Sequence, residues 1–521
     1  MALDTMTSDQ AMASDPADKL KSIADLAEIA AGLKQRGLKV AHCHGVFDVI
    51  HPGHIRHLKA ARAEGDVLIV TVTADRFVDK GPGRPAFNEQ LRMEALAALA
   101  CVDYVGINRA SHAVDLIHAL KPDVYVKGSD YARHEDDPTG KIQDEEQAIL
   151  TCGGRIHFTD EITFSSSHLI NAHLGIFPPE TESWLRKFRQ SRSVGDVMRY
   201  LDGAVGLKAL VIGEPIIDEY VFCHGLGKAS KDPVLAVQYH SLESHAGGTL
   251  AIANHLAGIV SQVDLIAQIG EVDGREDFMR RHLMPNVTPY FVQRHNAPTV
   301  QKRRFVDHYT GTRMFELYTM DDTEARAEDV KALVDLVNRI AGDYDFVIVA
   351  DYGHGMMARP VIDAVVRSAR FLSVNTQTNA GNRGFNMISK YPRADYVCLA
   401  VPEVAMETRI KHGSTQELAE IIPARIDCPN FTMTRGKIGT VHFDRTGNFV
   451  EVPSLAGEVV DRVGAGDTVL AMTSAMVVQG APWDIVGFVG NIAGGQAVAQ
   501  LGNRFSINRT SVIKAVAALM K

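Results

Sequence analysis

Apolar residues follow two alternating patterns along this chain, short β-rich runs and longer stretches with helical spacing. Between residues 38 and 161 the β-rich runs are LKVAHCHGVFDVI, DVLIVTVTAD, VDYVGIN, PDVYVKGSD and RIHFTDE. Helical patterns such as GHIRHLKAARAEG and NEQLRMEALAALA lie between them. Because strands alternate with helices, the pattern predicts an α/β fold with a parallel, doubly wound sheet.

A second alternating series begins at KALVIGEPIIDEYVF and predicts another doubly wound domain. The segment before it, LGIFPPETESWLRKFRQSRSVGDVMRYLDGAVG, is charged and interrupted by Pro and Gly, which favours a linker. At the start of the chain, residues 1–20 predict a disordered lead, and LKSIADLAEIAAGLKQRG predicts a helix that stops at a glycine. The predicted division is a lead and helix over 1–37, a first domain over 38–175, a linker over 176–206 and a second domain over 207–521.

Composition narrows the class of protein. Hydrophobic residues make up 46% and charged residues 22% of the 521, as in ordinary globular proteins. The net charge of -9 provides no basic field for nucleic acid or an anionic membrane. The six cysteines have neither CxxC nor zinc-ligand spacing, and neither a signal-peptide pattern nor a long apolar stretch occurs. We therefore expect a cytoplasmic protein with small-molecule ligands and no nucleic-acid or membrane partner.

The sequence HPGH, residues 51–54, stands where the first predicted strand passes into a helix. Pro52 suits the first helical turn, Gly53 allows close backbone approach, and the free N–H groups at a helix start favour a phosphate. His51 and His54 lie three residues apart, so both can donate to oxygens that gain charge during phosphoryl or nucleotidyl transfer. A zinc site and a solvated helix face are alternative interpretations of this spacing.

The stretch GVFDVIHPGH resembles the HxGH signature of the cytidylyltransferase-like nucleotidyltransferases. GRPAFNEQLRMEALAALACVDYV is similar to the arginine-bearing helix of that family, DVYVKGSDY to its next strand and loop, and TFSSSHLI to its serine-rich phosphate-binding loop. The resemblance implies that His51 and His54 contact the phosphates of a nucleoside triphosphate. It also implies a set of further nucleotide or phosphate contacts: Gly45, Phe47, Asp48, Lys59, Arg92, Lys127, Gly128, Asp130, Ser165, Ser166 and Ser167.

Several of these residues have a second interpretation. Lys59 suits a solvated helix face, Arg92 suits a helix ion pair, and the serines suit a helix cap. The mechanism that the resemblance implies is direct attack of a sugar-phosphate oxygen on the α-phosphorus, with Mg²⁺ bridging phosphate oxygens and pyrophosphate leaving. No protein nucleophile is needed, because a phosphate monoester is already anionic at pH 7.

VVDRVGAGDTVLAM, residues 459–472, places a glycine turn and Asp467 at the start of an apolar helical run. Such a turn offers backbone N–H groups to an anion, and the aspartate can take a proton from an attacking hydroxyl. An N-terminal cap is the alternative role for Asp467. DRVGAGDT resembles the signature of the ribokinase-like (PfkB) sugar kinases, which implies that Asp467 is the catalytic base and that Gly464, Ala465 and Gly466 bind phosphate.

Other segments resemble the same kinase family in the expected order: VIGEPIIDEY, HAGGTLAIANHLAG, TVQKRRFVD, VIVADYGHG and TMTRGKIGTVHF. The resemblance implies a fold with a small β lid and six sugar contacts besides Asp467, namely Asp218, Gly247, Gly248, Lys302, Arg304 and Asp351. It implies nucleotide contacts at Thr434, Arg435, Gly436 and Gly439. A strand-end turn for Asp351 and an edge-strand position for Lys302 remain open.

The chain also departs from the kinase family. Ala251 and Ile252 stand where relatives carry an asparagine, and SVNTQTNAGNRGF stands where heptose kinases carry an aspartate-proline-lysine segment. Of a later ATP-side motif only Glu403 is kept, as a possible Mg²⁺ contact without a protein metal cage. The nearest family is that of the bifunctional heptose-phosphate kinase/nucleotidyltransferases of ADP-heptose synthesis, in which the kinase comes first.

These resemblances imply a Mg²⁺-dependent bifunctional enzyme. The kinase would use ATP on a sugar or sugar phosphate, and the nucleotidyltransferase would use CTP or ATP on a sugar 1-phosphate. A homodimer that pairs through the lid is implied by the same resemblance. Two alternatives remain: an active nucleotidyltransferase that makes a CDP- or ADP-linked sugar or alcohol beside a ligand-binding or dimerising second half, and a non-catalytic sensor.

Overall fold

The computed structural model describes residues 15–78, 84–110, 112–128, 141–159, 177–321 and 323–521. The chain divides into two compact units, formed mainly by residues 1–176 and by residues 177–512. Both are parallel-sheet α/β units, as the alternating pattern predicts. Among the described helices, none combines the length and apolar character needed to span a bilayer.

The first unit has a five-stranded parallel sheet in the order β3-β2-β1-β4-β5. Its strands are β1 Val40–Gly45, β2 Val67–Thr73, β3 Tyr104–Asn108, β4 Val124–Gly128 and β5 Arg155–Thr159. Its helices are α1 Ile23–Gln35, α2 Pro52–Ala63, α3 Glu89–Ala97, α4 Val114–Leu120 and α5 Lys141–Thr151. The strand order reverses between β1 and β4, so the carboxyl ends of these two strands border the crevice where ligands bind in such sheets.

Helices cover both faces of this sheet. Leu58 of α2 and Leu96 of α3 pack with Leu68 of β2 on one face, and Leu26 of α1 packs with Ile69 of β2 on the other. Because neighbouring strand residues are buried on opposite faces, β2 is apolar almost throughout instead of alternating. Helix α1 is therefore part of the first unit.

The predicted lead over residues 1–20 is partly structured. Residues 1–14 lie outside the described residues, but Pro16–Lys19 form a 3₁₀ turn. The Nζ atom of Lys19 donates to the carbonyl oxygens of Leu99 at 3.1 Å and Val102 at 2.8 Å. These distant backbone partners anchor the turn, and polarity along the sequence did not indicate them.

The second unit has a nine-stranded sheet in the order β10-β9-β6-β13-β14-β15-β16-β17-β18, in which the last three strands pair antiparallel. The strands of this sheet are β6 Lys208–Gly213, β9 Gln262–Val272, β10 Val287–Pro298, β13 Phe346–Asp351, β14 Leu372–Thr376, β15 Tyr396–Ala400, β16 Asn430–Thr434, β17 Gly439–Asp444 and β18 Phe449–Pro453.

A separate four-stranded sheet, the lid, has the order β12-β11-β7-β8. Its strands are β7 Pro215–Lys228, β8 Leu235–Gly248, β11 Gln301–Asp307 and β12 Arg313–Thr319. The remaining helices are α6 Pro179–Ser191, α7 Val194–Ala204, α8 Thr249–Ala257, α9 Glu276–His282, α10 Ala327–Ile340, α11 Arg359–Ser368, α12 Val401–Thr408, α13 Thr415–Arg425, α14 Ala465–Val477, α15 Trp483–Val498 and α16 Arg509–Leu519.

The segment predicted as a linker, 176–206, instead contains two helices of the second unit. The ring of Phe188 in α6 is buried, with its centroid 4.5 Å from that of Phe488 in α15. Arg192 donates to both carboxylate oxygens of Asp484, at 2.7 and 3.0 Å. The charges that suggested a linker lie on the outer sides of amphipathic helices whose apolar sides are buried.

We predict that Phe188→Ala lowers the free energy of unfolding of the second unit by about 3–5 kcal/mol, because it removes a buried ring and leaves a cavity. Both tryptophans, Trp184 and Trp483, belong to this unit, so tryptophan fluorescence during urea denaturation follows it alone. Arg186→Ala, at an exposed position of the same helix, should change stability by less than about 0.5 kcal/mol. Equal effects of the two variants would show that α6 is only an exposed connection.

Candidate active sites

The first candidate site is the corner between β1 and α2. His51 is the N-cap of α2, and its Nδ1 accepts the Gly53 N–H at 3.1 Å. The rings of His51 and His54 stack with their centroids 3.9 Å apart, and the edge of Phe47 packs against His54. The sequence prediction that both imidazoles share one side of the first turn is therefore confirmed.

The protonation state of His51 follows from its cap. Because Nδ1 accepts a hydrogen bond, the neutral ring carries its proton on Nε2. Burial lowers the pKa of His51 below its usual value, so the ring is neutral at pH 7. The buried Nε2 has no hydrogen-bond partner within the described part of the chain. His51 thus has a donor available to a ligand oxygen at the start of a helix.

The turn before the histidines has an unusual backbone. Phe47 adopts a φ of 48°, in the left-handed region that non-glycine residues rarely occupy. A Cβ at Gly45 would lie only 3.1 Å from Cε2 of Phe47, so a glycine at this position leaves space for the Phe47 ring. Strained residues of this kind are found where a binding loop must keep one shape.

Arg92 supports this corner instead of facing it. Its side chain is only 1% exposed and donates to the carbonyl oxygens of Thr73 at 2.7 Å, Phe87 at 3.0 Å and Val46, and to Oδ1 of Asp75 at 2.6 Å. The prediction that Arg92 contacts a phosphate is therefore corrected. The structure supports the alternative interpretation, in which Arg92 forms an ion pair. The guanidinium ties the ends of β1 and β2 to the turn before α3.

Asp48, also expected to contact the nucleotide, has a similar supporting role. It is buried, its Oδ1 accepts the Ala86 N–H at 2.6 Å, and its Oδ2 lies 3.4 Å from the Arg84 guanidinium. These contacts hold the segment that leads into α3 against the corner. Both oxygens of Asp48 face protein donors, so the prediction that Asp48 contacts a phosphate is also corrected.

The remaining residues of the first site divide by position. Lys127 and Gly128 end β4, beside the carboxyl end of β1, and Lys127 pairs with Glu145 at 2.7 Å. Lys59 is exposed on α2 and acts electrostatically on Cys101, which precedes β3 at the opposite edge of the sheet. The contact of Lys59 with a phosphate at the corner stays a prediction. Asp130 and Ser165, Ser166 and Ser167 lie outside the described residues.

The second candidate site lies at the start of α14. Gly464 is the N-cap with a φ of 79°, and a Cβ there would lie 2.3 Å from Oδ1 of Asn503. Asp467 sits in the first turn and is only 7% exposed. Its Oδ1 accepts hydrogen bonds from Oη of Tyr352 at 2.9 Å and from Nε2 of Gln377 at 2.7 Å. Burial raises the pKa of Asp467 to about 7, although these bonds and Lys302 oppose the shift.

Predicted sugar contacts on the lid lie near Asp467. Asp218 of β7 pairs with Arg304 of β11 at 2.6 Å, and both side chains are buried. A Cβ at Gly247 would lie 2.0 Å from Oδ2 of Asp218, so only glycine allows this approach of β8 to β7. Gly248 follows with a φ of 58°, another position that favours glycine.

Lys302 lies between aromatic rings and carboxylates. Its Nζ is 5.6 Å from the ring centroid of Tyr318 and 5.9 Å from that of Tyr352. Burial lowers the pKa of Lys302, against the opposing effects of Asp218 and Asp467. The cation therefore contributes to the field around Asp467, and an edge-strand role does not account for its position.

The prediction that Asp351 contacts the sugar is corrected. Asp351 is fully buried, and its carboxylate binds Oη of Tyr391 at 2.6 Å, Nζ of Lys390 at 2.5 Å and the Gly353 N–H at 3.1 Å. These partners belong to the protein, so Asp351 stabilises the end of β13 instead of binding a sugar. The strand-end interpretation is the one that the contacts support.

Three residues of this site were missed in the sequence: Glu214, Tyr352 and Gln377. Glu214 is buried and accepts N–H groups of Tyr352 at 3.1 Å, His354 at 3.0 Å and Met356 at 3.3 Å. Its partners are about 140 residues away along the chain, and local sequence patterns give no signal for such pairs. The sequence did contain one signal for Tyr352: it directly follows Asp351 at the end of a predicted strand, where ligand-binding residues are often found.

The predicted nucleotide side lies at the ends of β16 and β17. Thr434 ends β16, Arg435 contacts Glu451 at 3.1 Å, and Gly436 is exposed with a φ of 57°. A Cβ at Gly439 would lie 2.1 Å from the carbonyl oxygen of Val452, which excludes a side chain. Two tight backbone features, at Gly436 and Gly439, thus coincide with residues that the resemblance named.

Glu403 is the one predicted metal contact. Its Oε1 accepts the Thr378 N–H at 3.2 Å, its buried Oε2 has no partner among the described residues, and burial raises the pKa of this carboxyl. Within the described ranges, no group of three or more His, Cys, Asp or Glu side chains is arranged to hold a metal ion. One oxygen donor suits a cation that arrives already bound to a nucleotide.

Comparison with known families assigns the second unit. Residues 207–510, more than half of the chain, match the pfkB family of carbohydrate kinases. The chain belongs to the pfkB carbohydrate kinase family. Residues 42–170 match the cytidylyltransferase-like family, so a pfkB kinase follows a nucleotidyltransferase-like unit in one chain. Both resemblances stated from the motifs are confirmed at the level of these families.

Related proteins match this pfkB family member over parts of its length. The bifunctional protein HldE of Azorhizobium caulinodans is 42% identical over 122 residues, 23% of this chain and 26% of the relative. HldE of Citrifermentans bemidjiense is 25% identical over 312 residues, 59% of this chain and 63% of the relative. Phosphofructokinase-2 from Escherichia coli, in complex with substrates and products, aligns with 61% of this chain and 100% of its own at 16% identity and a TM-score of 0.49. The matches span less than two thirds of these HldE proteins.

We predict that Arg92→Lys destabilises the first unit by about 1–3 kcal/mol, because an ammonium cannot keep all four hydrogen bonds of the guanidinium and leaves buried carbonyl oxygens without a donor. Thermal unfolding followed by circular dichroism measures the change. Arg109→Lys is the matched control, since its pair with Glu89 is mostly exposed and should matter little. Unchanged stability with weaker nucleotide binding would restore Arg92 as a phosphate contact.

Proposed function

We propose that this chain is a bifunctional, sugar-activating enzyme. Its kinase unit transfers the γ-phosphoryl group of ATP to the anomeric hydroxyl of a sugar phosphate of the heptose-7-phosphate class. Its first unit joins a sugar 1-phosphate to the nucleotide of CTP or ATP and releases pyrophosphate. The names of the HldE relatives and the presence of both families in one chain support this proposal.

One observation carries the kinase activity. Asp467 is buried at a glycine-rich helix start, among Asp218, Lys302 and the protein donors that hold it. With a pKa of about 7, a substantial fraction of this carboxylate is ionised at neutral pH and can take a proton from a sugar hydroxyl. The backbone N–H groups around Gly464 and Gly466 offer charge stabilisation to the transferred phosphoryl group.

The nucleotidyl transfer would use the first corner. The His51 Nε2–H supplies a donor to phosphate oxygens at the positive end of α2 without any charged side chain. A sugar 1-phosphate is an anionic nucleophile at pH 7, so the site needs to align it and to stabilise the departing pyrophosphate. His54, stacked on His51 at 3.9 Å, would be the second donor.

Mg²⁺ is part of the proposal as an ion carried by the nucleoside triphosphate. Glu403 would contact it on the kinase side through its available Oε2. When bound, the ion supplies neutralising charge to the phosphate oxygens. A cytoplasmic location follows from the same proposal, because the nucleoside triphosphates that serve as substrates are cytoplasmic.

A homodimer is also proposed, formed through the outer face of the lid. The lid register places Leu242, Phe305, Phe315 and Leu317 on one face and Asp218 and Arg304 on the other. Leu242, Phe315 and Leu317 are 45–49% exposed, and the rings of Phe305 and Phe315 stack with centroids 4.3 Å apart. A row of large apolar side chains on the surface is typical of a surface that another chain covers.

We predict a crossed result for two single variants. His54→Ala should lower pyrophosphate release from CTP or ATP by about 10²- to 10³-fold, because one transition-state donor is lost. Asp467→Asn should lower sugar-dependent ADP release by about 10²- to 10⁴-fold, because the base is lost. Each variant should keep the other activity, measured with a panel of sugars, sugar phosphates and the four nucleoside triphosphates read by mass spectrometry.

The same assay decides between the proposals. Loss of both activities in either variant contradicts two independent sites. Pyrophosphate release without any sugar-dependent ADP release in the unaltered protein would favour the alternative in which only the first unit is catalytic.

We predict that Leu317→Glu converts a dimer into a 56.8-kDa monomer, because a charge on the apolar lid face must be desolvated when the surfaces meet. Sedimentation velocity at micromolar concentration measures the change. Phe385→Glu is the control, since Phe385 is 90% exposed and lies in the segment after β14, outside the lid sheet. A monomeric unaltered protein, or a dimer that keeps its mass in Leu317→Glu, contradicts this interface.

A further inference from the structure

Both hydrogen bonds to Asp467 end on the same oxygen. Oη of Tyr352 and Nε2 of Gln377 donate to Oδ1, at 2.9 and 2.7 Å. Among the described residues, no other group donates a hydrogen bond to Oδ1, and none donates to Oδ2. The two oxygens are therefore inequivalent: one is fixed by the protein and the other is left for a ligand.

The two donors are themselves fixed. The Tyr352 N–H binds Oε2 of Glu214 at 3.1 Å, and the Tyr352 carbonyl accepts from Nδ2 of Asn379 at 2.9 Å and of Asn382 at 2.8 Å. The Gln377 N–H binds the carbonyl oxygen of Asp351 at 2.9 Å. The backbone of each donor is thus held in place, and a rotation of the Asp467 carboxylate would move Oδ1 away from both.

We propose that Tyr352 and Gln377 are positioning residues that bind Oδ1 of Asp467 and leave Oδ2 as the atom that takes the proton of the sugar hydroxyl. This inference rests on the proposed kinase function. In the step, the hydroxyl proton moves to Oδ2 as the hydroxyl oxygen bonds to the γ-phosphorus of ATP. The bond from that phosphorus to the β–γ bridging oxygen breaks, and ADP leaves with the electron pair.

The charges around Asp467 show what the two donors contribute. Burial and Asp218 of β7 disfavour the ionised carboxylate, while Lys302 of β11 favours it. Tyr352 and, on β15, Cys398 are further titratable groups that interact with it. Burial raises the pKa of Tyr352 well above its usual value, so its phenol remains a donor over the working pH range. The donors hence favour the ionised base against its surroundings.

The test is the pH dependence of kcat for sugar-dependent ADP release in Tyr352→Phe and Gln377→Met, which keep the side-chain size. A base must be ionised to act, so kcat rises with pH through the pKa of Asp467. Removing a donor to the ionised form raises that pKa, and the acid limb should move up by about one pH unit in each variant. Tyr396→Phe is the matched control, because the Tyr396 phenol binds Thr473 of the same helix at 2.7 Å and does not contact Asp467. Its acid limb should not move.

A second measurement does not depend on activity. Selective ¹³C labelling of aspartate carboxyls, with Asp467→Asn to assign the signal, gives the pKa of Asp467 directly by NMR titration. Shifted pKa values in both variants support the inference, whereas unchanged values, or a fall in kcat by the same factor at every pH, overturn it. Shifted pKa values in a chain that releases no ADP with any sugar would instead overturn the proposed kinase function.

Discussion

Buried carboxylates impose the strongest constraint on the second unit, because a buried charge without partners is costly. Glu214 meets the constraint with three backbone N–H groups, and Asp351 meets it with a tyrosine, a lysine and an N–H. Their partners hold the end of β13 and the loop after it, from which Tyr352 reaches Asp467. Among the described residues, Asp467 has donors on one oxygen only. It stands at the helix start, and the fully bonded Glu214 and Asp351 hold the backbone that carries its tyrosine donor.

The first unit solves a related problem with a cation. Arg92 lies under the corner of β1 and α2, where strand ends and a turn leave carbonyl oxygens without strand partners, and its planar group reaches three of them and Asp75. The corner itself carries a neutral imidazole whose Nε2–H meets no acceptor in the part of the chain that the structure describes. In both units, then, a charged side chain that suits a substrate holds the backbone instead, Arg92 in the first and Asp351 in the second. The groups left for a ligand are the Nε2–H of His51 and Oδ2 of Asp467.

The sequence predicted elements well and partners poorly. The five β-rich runs of the first unit each contain an observed strand, and the HPGH and GAGD turns lie at helix starts, because these features depend on neighbouring residues. Arg92 and Asp351 could not be assigned in the same way, since an arginine on a helix or an aspartate at a strand end suits a ligand and a buried pair equally. The role of Glu214 could not be predicted either, because its contacts join residues about 140 positions apart in the sequence. The stretch around Phe188 predicts a linker from sequence, because its charges and its Pro and Gly residues do not show that one side of each helix is buried.

The two helices before β6 bear on how such a chain can arise by gene fusion. Phe188 and Arg192 attach them to α15 of their own unit, so the kinase fold has a finished amino-terminal border ahead of its first strand. A module joined upstream at that border leaves every strand pairing of the kinase sheet untouched. An upstream join at that border therefore requires no change to the strands of the kinase sheet, and the place to cut or rejoin the coding sequence lies before α6.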